Sequence, residues 1–174
     1  MESEEIEERA EKTLRETGTY RLPVQIDKVA RALNLTMQAA PLGERVSGVL
    51  LVEGDRGAIG YNLAHSWVRR RFTISHEIAH FLLHAKKSAK EELFIDSRVR
   101  FRPDENLSAS ADRKEVEANQ LGAALLMPKG LVQEEIRRRN LDLDDEEAIR
   151  LLAKEFYVSE QAIAIRLVNL GMLR

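Results

Sequence analysis

The sequence predicts an α+β fold that is mostly helical and contains a small antiparallel sheet. Apolar residues recur at helical spacing towards both ends of the chain. The middle of the chain instead holds two β-rich segments, 46–52 (VSGVLLV) and 58–61 (AIGY), joined by the glycine-containing turn EGDRG. The length of 174 residues, with 44% hydrophobic and 32% charged residues, is typical of one globular domain with room for a small appendage.

The N-terminal part is predicted to form two helices before the sheet. Residues 2–16 have apolar side chains at helical spacing, and Gly18 ends that helix. The stretch 24–35 (VQIDKVARALNL) follows Pro23 and has the same periodicity, which predicts a second, short helix.

After the sheet the pattern is helical again, from Trp67 to about His84. Residues 86–111 contain one short apolar patch, LFI (93–95), and we predict a long surface excursion there. Four further helices are predicted, over 112–127 (ended by Pro128), 129–139, 144–156 and 159–169.

Composition excludes several classes of function. Because the chain has no cysteine, it has no disulfide framework and no thiolate metal site, so a metal would have to be held by histidine and carboxylate. The formal net charge of −2 offers no global attraction for nucleic acid or for an anionic membrane. The N-terminus MESEEIEERAEK does not resemble a signal peptide, and no apolar run approaches the roughly 18 residues that span a bilayer. We therefore expect a cytoplasmic protein without membrane contact.

The segment 76–80, His-Glu-Ile-Ala-His, carries the strongest chemical signal. Positions four apart on an α-helix share a face, with about 5–6 Å between their Cβ atoms, so His76 and His80 can bind one metal ion. Glu77 is rotated about 100° from His76 around the helix axis, which puts its carboxylate beside the metal. From there it can act as the general base of a hydrolytic reaction.

A catalytic zinc site needs a third protein ligand and one open position. The next strong helix offers Glu115 and Glu117. We favour Glu115, because it shares a face with Asn119, whose amide would then orient one of the histidines. Glu117 points nearly the opposite way and remains the alternative. Zinc is the predicted metal, although manganese and iron also occupy sites of two histidines and a carboxylate.

Three more residues near the motif are candidates for supporting roles. His84 follows His80 by one turn, but each turn advances about 5.4 Å, so three successive histidines on a straight helix cannot share one ion. We expect His84 at the helix end or behind the ligands. His65 and Tyr61 precede the metal helix, and they either line the cleft as transition-state donors or are solvated loop residues.

The combination of RFTISHEIAHFLLH (71–84) with EVEANQLGAALLMP (115–128) resembles the ImmA/IrrE family of metallopeptidases. The resemblance implies a zincin-like core and a zinc-dependent endopeptidase of a family that typically cleaves a helix-turn-helix (XRE-type) repressor, relieving repression of mobile-element or stress-response genes. It also implies Glu115 as the third ligand, because this is the glutamate of E-x-x-A-N. Some relatives carry an additional repressor-like or sensor-like domain, for which this chain has no room. We therefore expect its partner to be a separate protein.

We assign residues 1–130 to the zinc metallopeptidase core and 131–174 to a C-terminal helical segment packed on that core. Within this segment, residues 151–170 fit the spacing of a helix-turn-helix, with Ile163 and Leu167 buried. This pattern supports a rival hypothesis, a DNA-binding transcriptional regulator with a structural metal site.

Two observations argue against DNA binding. Tyr157 occupies the turn position where glycine is usual. From Leu131 onward there are seven basic residues against nine acidic ones, so the segment lacks the basic face that phosphate contacts need. We therefore do not expect direct DNA binding, and we predict that Gln161 and Arg166 are exposed and available to a protein substrate.

Overall fold

The computed structural model describes residues 2–85, 92–97 and 109–173. The helices of this described part are α1 (Ser3–Glu16), α2 (Ile26–Ala32), α3 (Trp67–His80), α4 (Ala109–Leu126), α5 (Lys129–Arg139), α6 (Glu146–Phe156) and α7 (Glu160–Asn169). Its strands are β1 (Leu35–Ala40), β2 (Val46–Glu53), β3 (Arg56–Asn62) and β4 (Glu92–Ser97). A π-helical turn (Phe81–Ala85) continues α3. The predicted α+β fold, mostly helical with a small sheet, is confirmed.

The strands form one sheet in the order β1-β3-β2-β4. The predicted antiparallel hairpin is present as β2 and β3, and Gly54 in its turn has a φ of 62°, a conformation that favours glycine. β4 pairs antiparallel with the other edge of β2. The sheet is nevertheless mixed rather than antiparallel throughout, because β1 runs parallel to β3.

The first edge strand, β1, corrects the sequence prediction. The helix predicted over 24–35 ends at Ala32, and Asn34 then adopts a φ of 60° before the chain enters the sheet. Leu35 is buried as the first residue of the strand rather than on a helix face. Pairing with β3, which lies about twenty residues further along the chain, decides the structure here.

The second edge strand, β4, lies within the predicted surface excursion. The apolar patch at 93–95 is part of a strand paired with β2, so this portion of the excursion belongs to the sheet. Residues 86–91 and 98–108 of the predicted excursion lie outside the described residues.

Helix α3 packs against the sheet on one side and against α4 on the other. Apolar residues of α3 and of the π-helical turn that continues it are buried in the core: Ile78 is 0%, Phe81 1% and Leu82 5% exposed. Helix α1 packs against the far side of α4 and buries its own apolar stripe, which includes Ile6 and Leu14. The helix that carries the histidines is therefore enclosed by secondary structure.

The C-terminal helices α6 and α7 meet at Tyr157, which has a φ of 56°. Ile163 and Leu167 are fully buried, as the helix-turn-helix spacing predicts. Arg166 was predicted to be exposed, and this is wrong: it is only 5% exposed. Its guanidinium donates to both carboxylate oxygens of Glu7 at 2.7 Å and to the carbonyl of Met127 at 3.0 Å.

These contacts join α7 to α1 and to the end of α4. The division of the chain into a core (1–130) and a C-terminal segment (131–174) stays a prediction. Among the described residues, no helix combines the length and apolarity needed to cross a membrane.

Candidate metal centre

Helices α3 and α4 bring the three predicted ligands into one group. His76 and His80 lie one turn apart on α3, and their Nε2 atoms are 3.0 Å apart. Glu115, from the second turn of the described α4, faces both rings. One carboxylate oxygen is 3.3 Å from His80 Nε2, and the other is 3.5 Å from His76 Nε2.

The spacing of these atoms fits a metal ion. Bonds of about 2.05 Å at tetrahedral angles separate neighbouring ligand atoms by about 3.3 Å. The two imidazole nitrogens are 3.0 Å apart, and each has a Glu115 carboxylate oxygen at a similar distance, Oε1 at 3.3 Å from His80 and Oε2 at 3.5 Å from His76. The donor set is also suitable, because two imidazoles and one carboxylate satisfy zinc and leave a fourth position open. The buried His-His-Glu group can therefore hold a metal ion.

The group is buried on the side of α3 and opens to the surface at α4. The side chains of His76 and His80 are 4% and 3% exposed, whereas that of Glu115 is 23% exposed. Burial opposes the charged form of Glu115, but hydrogen bonds from His76 and then His80 outweigh it and lower the pKa of the carboxyl group well below its usual range. The Glu115 carboxyl group is therefore ionised at neutral pH.

Glu77 is 0% exposed and faces the sheet rather than solvent. A Cβ atom at Gly48, in β2, would lie 2.8 Å from Glu77 Oε1 and 2.4 Å from Thr73 Cγ2. The backbone of β2 thus covers the carboxylate directly. Sequence reasoning missed this contact, although a glycine inside a strand (VSGVLLV) often marks a close approach of another element.

A second close contact joins α3 to α4 beside the first histidine. Ser75 Oγ donates to the carbonyl of Gly122 at 2.6 Å. A Cβ atom at Gly122 would lie 3.2 Å from both the Cα and the backbone nitrogen of His76. The two helices therefore touch along their backbones, two turns away from Glu115 on the same face of α4. Sequence reasoning missed this contact between Ser75 and Gly122.

The other carboxylate on α4 lies apart from the group. Glu117 accepts a hydrogen bond from Arg113 Nε at 3.2 Å and is not among the described residues whose ligand atoms converge. Asn119, whose side-chain amide is predicted to orient one of the histidines, is an exposed residue.

The supporting candidates occupy three different places. His84 lies in the π-helical turn, and its Nε2 is 3.2 Å from the carbonyl of Lys114. Tyr61 is half-buried on β3, directly opposite Gly48. His65 lies between β3 and α3 and borders a surface cavity of about 610 Å³ whose lining includes none of the predicted ligands.

The fold and the site together define the chain as metallopeptidase-like: a helix with two histidines, enclosed by a small sheet and by a helix that supplies a carboxylate. The family model described as the IrrE N-terminal-like domain, peptidase family M78, matches residues 30–168. That match covers more than half of the chain, so the chain belongs to this peptidase family, and the resemblance seen in the sequence is confirmed. No curated protein matches the sequence significantly.

Proposed function

We propose that the protein is a zinc-dependent endopeptidase in which His76, His80 and Glu115 hold the metal and Glu77 is the general base. The observation that carries this proposal is the convergence of two imidazole nitrogens and one carboxylate within 4.8 Å of one another. The membership of a peptidase family supports hydrolysis of a protein substrate as the use of this site.

A zinc ion at this site would supply Lewis acidity, which polarises a peptide carbonyl and lowers the pKa of water. His76 and His80 hold their side of the site rigidly, because both belong to one buried helix. Glu77 accepts a proton from the attacking water while the oxygen–carbon bond forms. It then delivers that proton to the leaving amine as the carbon–nitrogen bond breaks. The partly exposed side at Glu115 is where a substrate chain can enter.

We further propose that the substrate is a helix-turn-helix repressor of the XRE type, cleaved to relieve repression of mobile-element or stress-response genes. The support is the resemblance of the two sequence motifs to the ImmA/IrrE family. Because such a repressor acts on DNA in the cytoplasm, the proposal also places the protein there.

The rival hypothesis, a DNA-binding regulator, loses support from the described C-terminal helices. Arg166, the basic residue in the last turn of α7, is turned inward to Glu7. Two exposed positions of α7, Ile165 and Val168, are apolar. Phosphate contacts need exposed cationic groups, and this face offers apolar side chains instead.

Co-expression with the repressors encoded beside the gene tests the proposal. We expect one repressor to be cut by the wild-type protein, and the cut to be absent with Glu77→Gln and after treatment with a chelator. Cleavage that persists in the chelator and in the Glu77→Gln variant would contradict a metal-dependent peptidase.

A further inference from the structure

The face of α3 that lies against β2 is formed by a stripe of residues spaced one helical turn apart. Arg69 Nη2 donates to Ser47 Oγ at 3.0 Å. The next two residues of the stripe, Thr73 and Glu77, lie against Gly48. The base of the proposed reaction is thus the last member of a row of side chains held against one strand.

A β-bulge turns the strand towards that row. Val46 pairs with Ser97 and Gly48 pairs with Asp96, so Ser47 is the extra residue between them. Both Ser47 and Gly48 are buried, which breaks the usual alternation of faces along the strand. The bulge therefore points two successive residues at α3, and the second is the one beside Glu77.

No side chain fits at this second position. Carbon atoms in contact are normally 3.5–4.0 Å apart, whereas a Cβ atom at Gly48 would be 2.4 Å from Thr73 Cγ2 and 2.8 Å from Glu77 Oε1. Thr73 is buried and β-branched, so it has few rotamers with which to retreat. The carboxylate would have to move, or the helix would have to leave the strand.

We propose that Gly48 is a positioning residue for the general base: the lack of a side chain at the β2 bulge sets where the Glu77 carboxylate stands. The inference rests on the proposed role of Glu77. The two side chains that a Cβ atom at Gly48 would meet, Thr73 and Glu77, are not among the three proposed metal ligands. A change there is expected to alter the rate of hydrolysis while leaving metal binding intact.

The chain offers a matched control and a way to separate positioning from packing. Gly60 lies in the neighbouring strand, and a Cβ atom there would lie 2.7 Å from the side chain of Val49. Because Ile59 is buried, Gly60 points to the other face of the sheet. The Thr73→Ser change removes the methyl group that meets a new Cβ at position 48, but it leaves the contact with Glu77.

The experiment compares Gly48→Ala, Gly48→Ala with Thr73→Ser, Thr73→Ser alone, and Gly60→Ala. Four quantities are measured: the melting temperature, the affinity for Zn²⁺ alone, kcat and KM for the repressor cut by the wild type, and the carboxyl-carbon NMR signal of Glu77, assigned by its loss in Glu77→Gln. We expect Gly48→Ala to bind Zn²⁺ as the wild type does, with an unchanged KM and a kcat lowered about 10–100-fold, the range that a misplacement of about 1 Å can cost.

In the double variant the melting temperature should recover while kcat stays low and the Glu77 signal stays displaced. Gly60→Ala and Thr73→Ser alone should leave that signal and kcat unchanged. Recovery of kcat together with stability, or a Glu77 signal unmoved by Gly48→Ala, would overturn the proposal. If the wild type hydrolyses nothing and the signal still moves only in the Gly48 variants, the proposed peptidase function fails but the placement of the carboxylate by Gly48 stands.

Discussion

Two contacts between helices in this chain bury polar side chains in opposite ways. Where α7 meets α1 and the end of α4, the donors of Arg166 meet the acceptors of Glu7 and Met127, so the contact is complete within the protein. In the α3–α4 pair, His76 Nε2 and His80 Nε2 lie 3.0 Å apart, and each is within 3.5 Å of a carboxylate oxygen of Glu115. A guanidinium that meets a carboxylate and a carbonyl forms a structural clamp, whereas three side chains that each offer a ligand atom form a place for a cation.

The largest effect is expected when the proposed general base beside the α3–α4 pair is replaced and the three proposed metal ligands are left unchanged. Glu77→Gln should keep the metal and the fold but reduce the rate of hydrolysis by roughly 10²–10⁴-fold, because the general base is lost. The matched control is Glu135→Gln, which changes another buried glutamate, one that is paired with Arg138 and Arg139. Cleavage assays on both variants check this, and near-wild-type cleavage by Glu77→Gln would remove Glu77 from the mechanism.

The next largest effect is expected at the clamp that joins α7 to α1. Arg166→Ala should lower the free energy of unfolding by about 3 kcal/mol, since it leaves Glu7 largely buried without its partner. Arg150→Ala is the control, because its ion pairs with Glu146 and Glu147 are exposed and should contribute about 1 kcal/mol at most. Urea denaturation measures both variants, and equal small losses would contradict the structural role of Arg166.

The smallest effects are expected at the exposed surface of α7, both on DNA affinity and on stability. The protein should show no salt-sensitive affinity for DNA, because Arg166 is not available to phosphate. Gln161→Ala should change stability by no more than about 0.5 kcal/mol, as is usual for an exposed position. Titration of the protein with operator DNA at low and moderate salt tests the prediction on DNA binding. Tight, sequence-selective binding that weakens steeply with salt would restore the regulator hypothesis.

The sequence was most informative where the chemistry is local. His76, Glu77 and His80 share one helix, so their relative placement follows from helical spacing alone, and the roles proposed for them rest on that placement. Glu115 lies on a different helix, and the carboxylate was favoured over Glu117 by the direction in which each would point. The structure brings Glu115, and not Glu117, to the histidines.

Contacts between distant parts of the chain were not predictable in the same way. Arg166 looked exposed because its partner, Glu7, is 159 residues away. The strand β1 looked like the end of a helix because its pairing partner β3 comes later in the chain. Gly48 carried a usable signal, a glycine within a strand, but the element that approaches it is set by the fold.

A calorimetric titration of Zn²⁺ into the wild type, Glu115→Gln and Glu117→Gln tests the His-His-Glu centre most directly. We expect one ion to bind per chain and Glu115→Gln to lower the affinity more than about 100-fold, which exceeds the usual loss for a residue that only supports a ligand. Glu117→Gln should bind as the wild type does, because that carboxylate is paired with Arg113. Loss of binding in Glu117→Gln with full binding in Glu115→Gln would contradict the His-His-Glu centre.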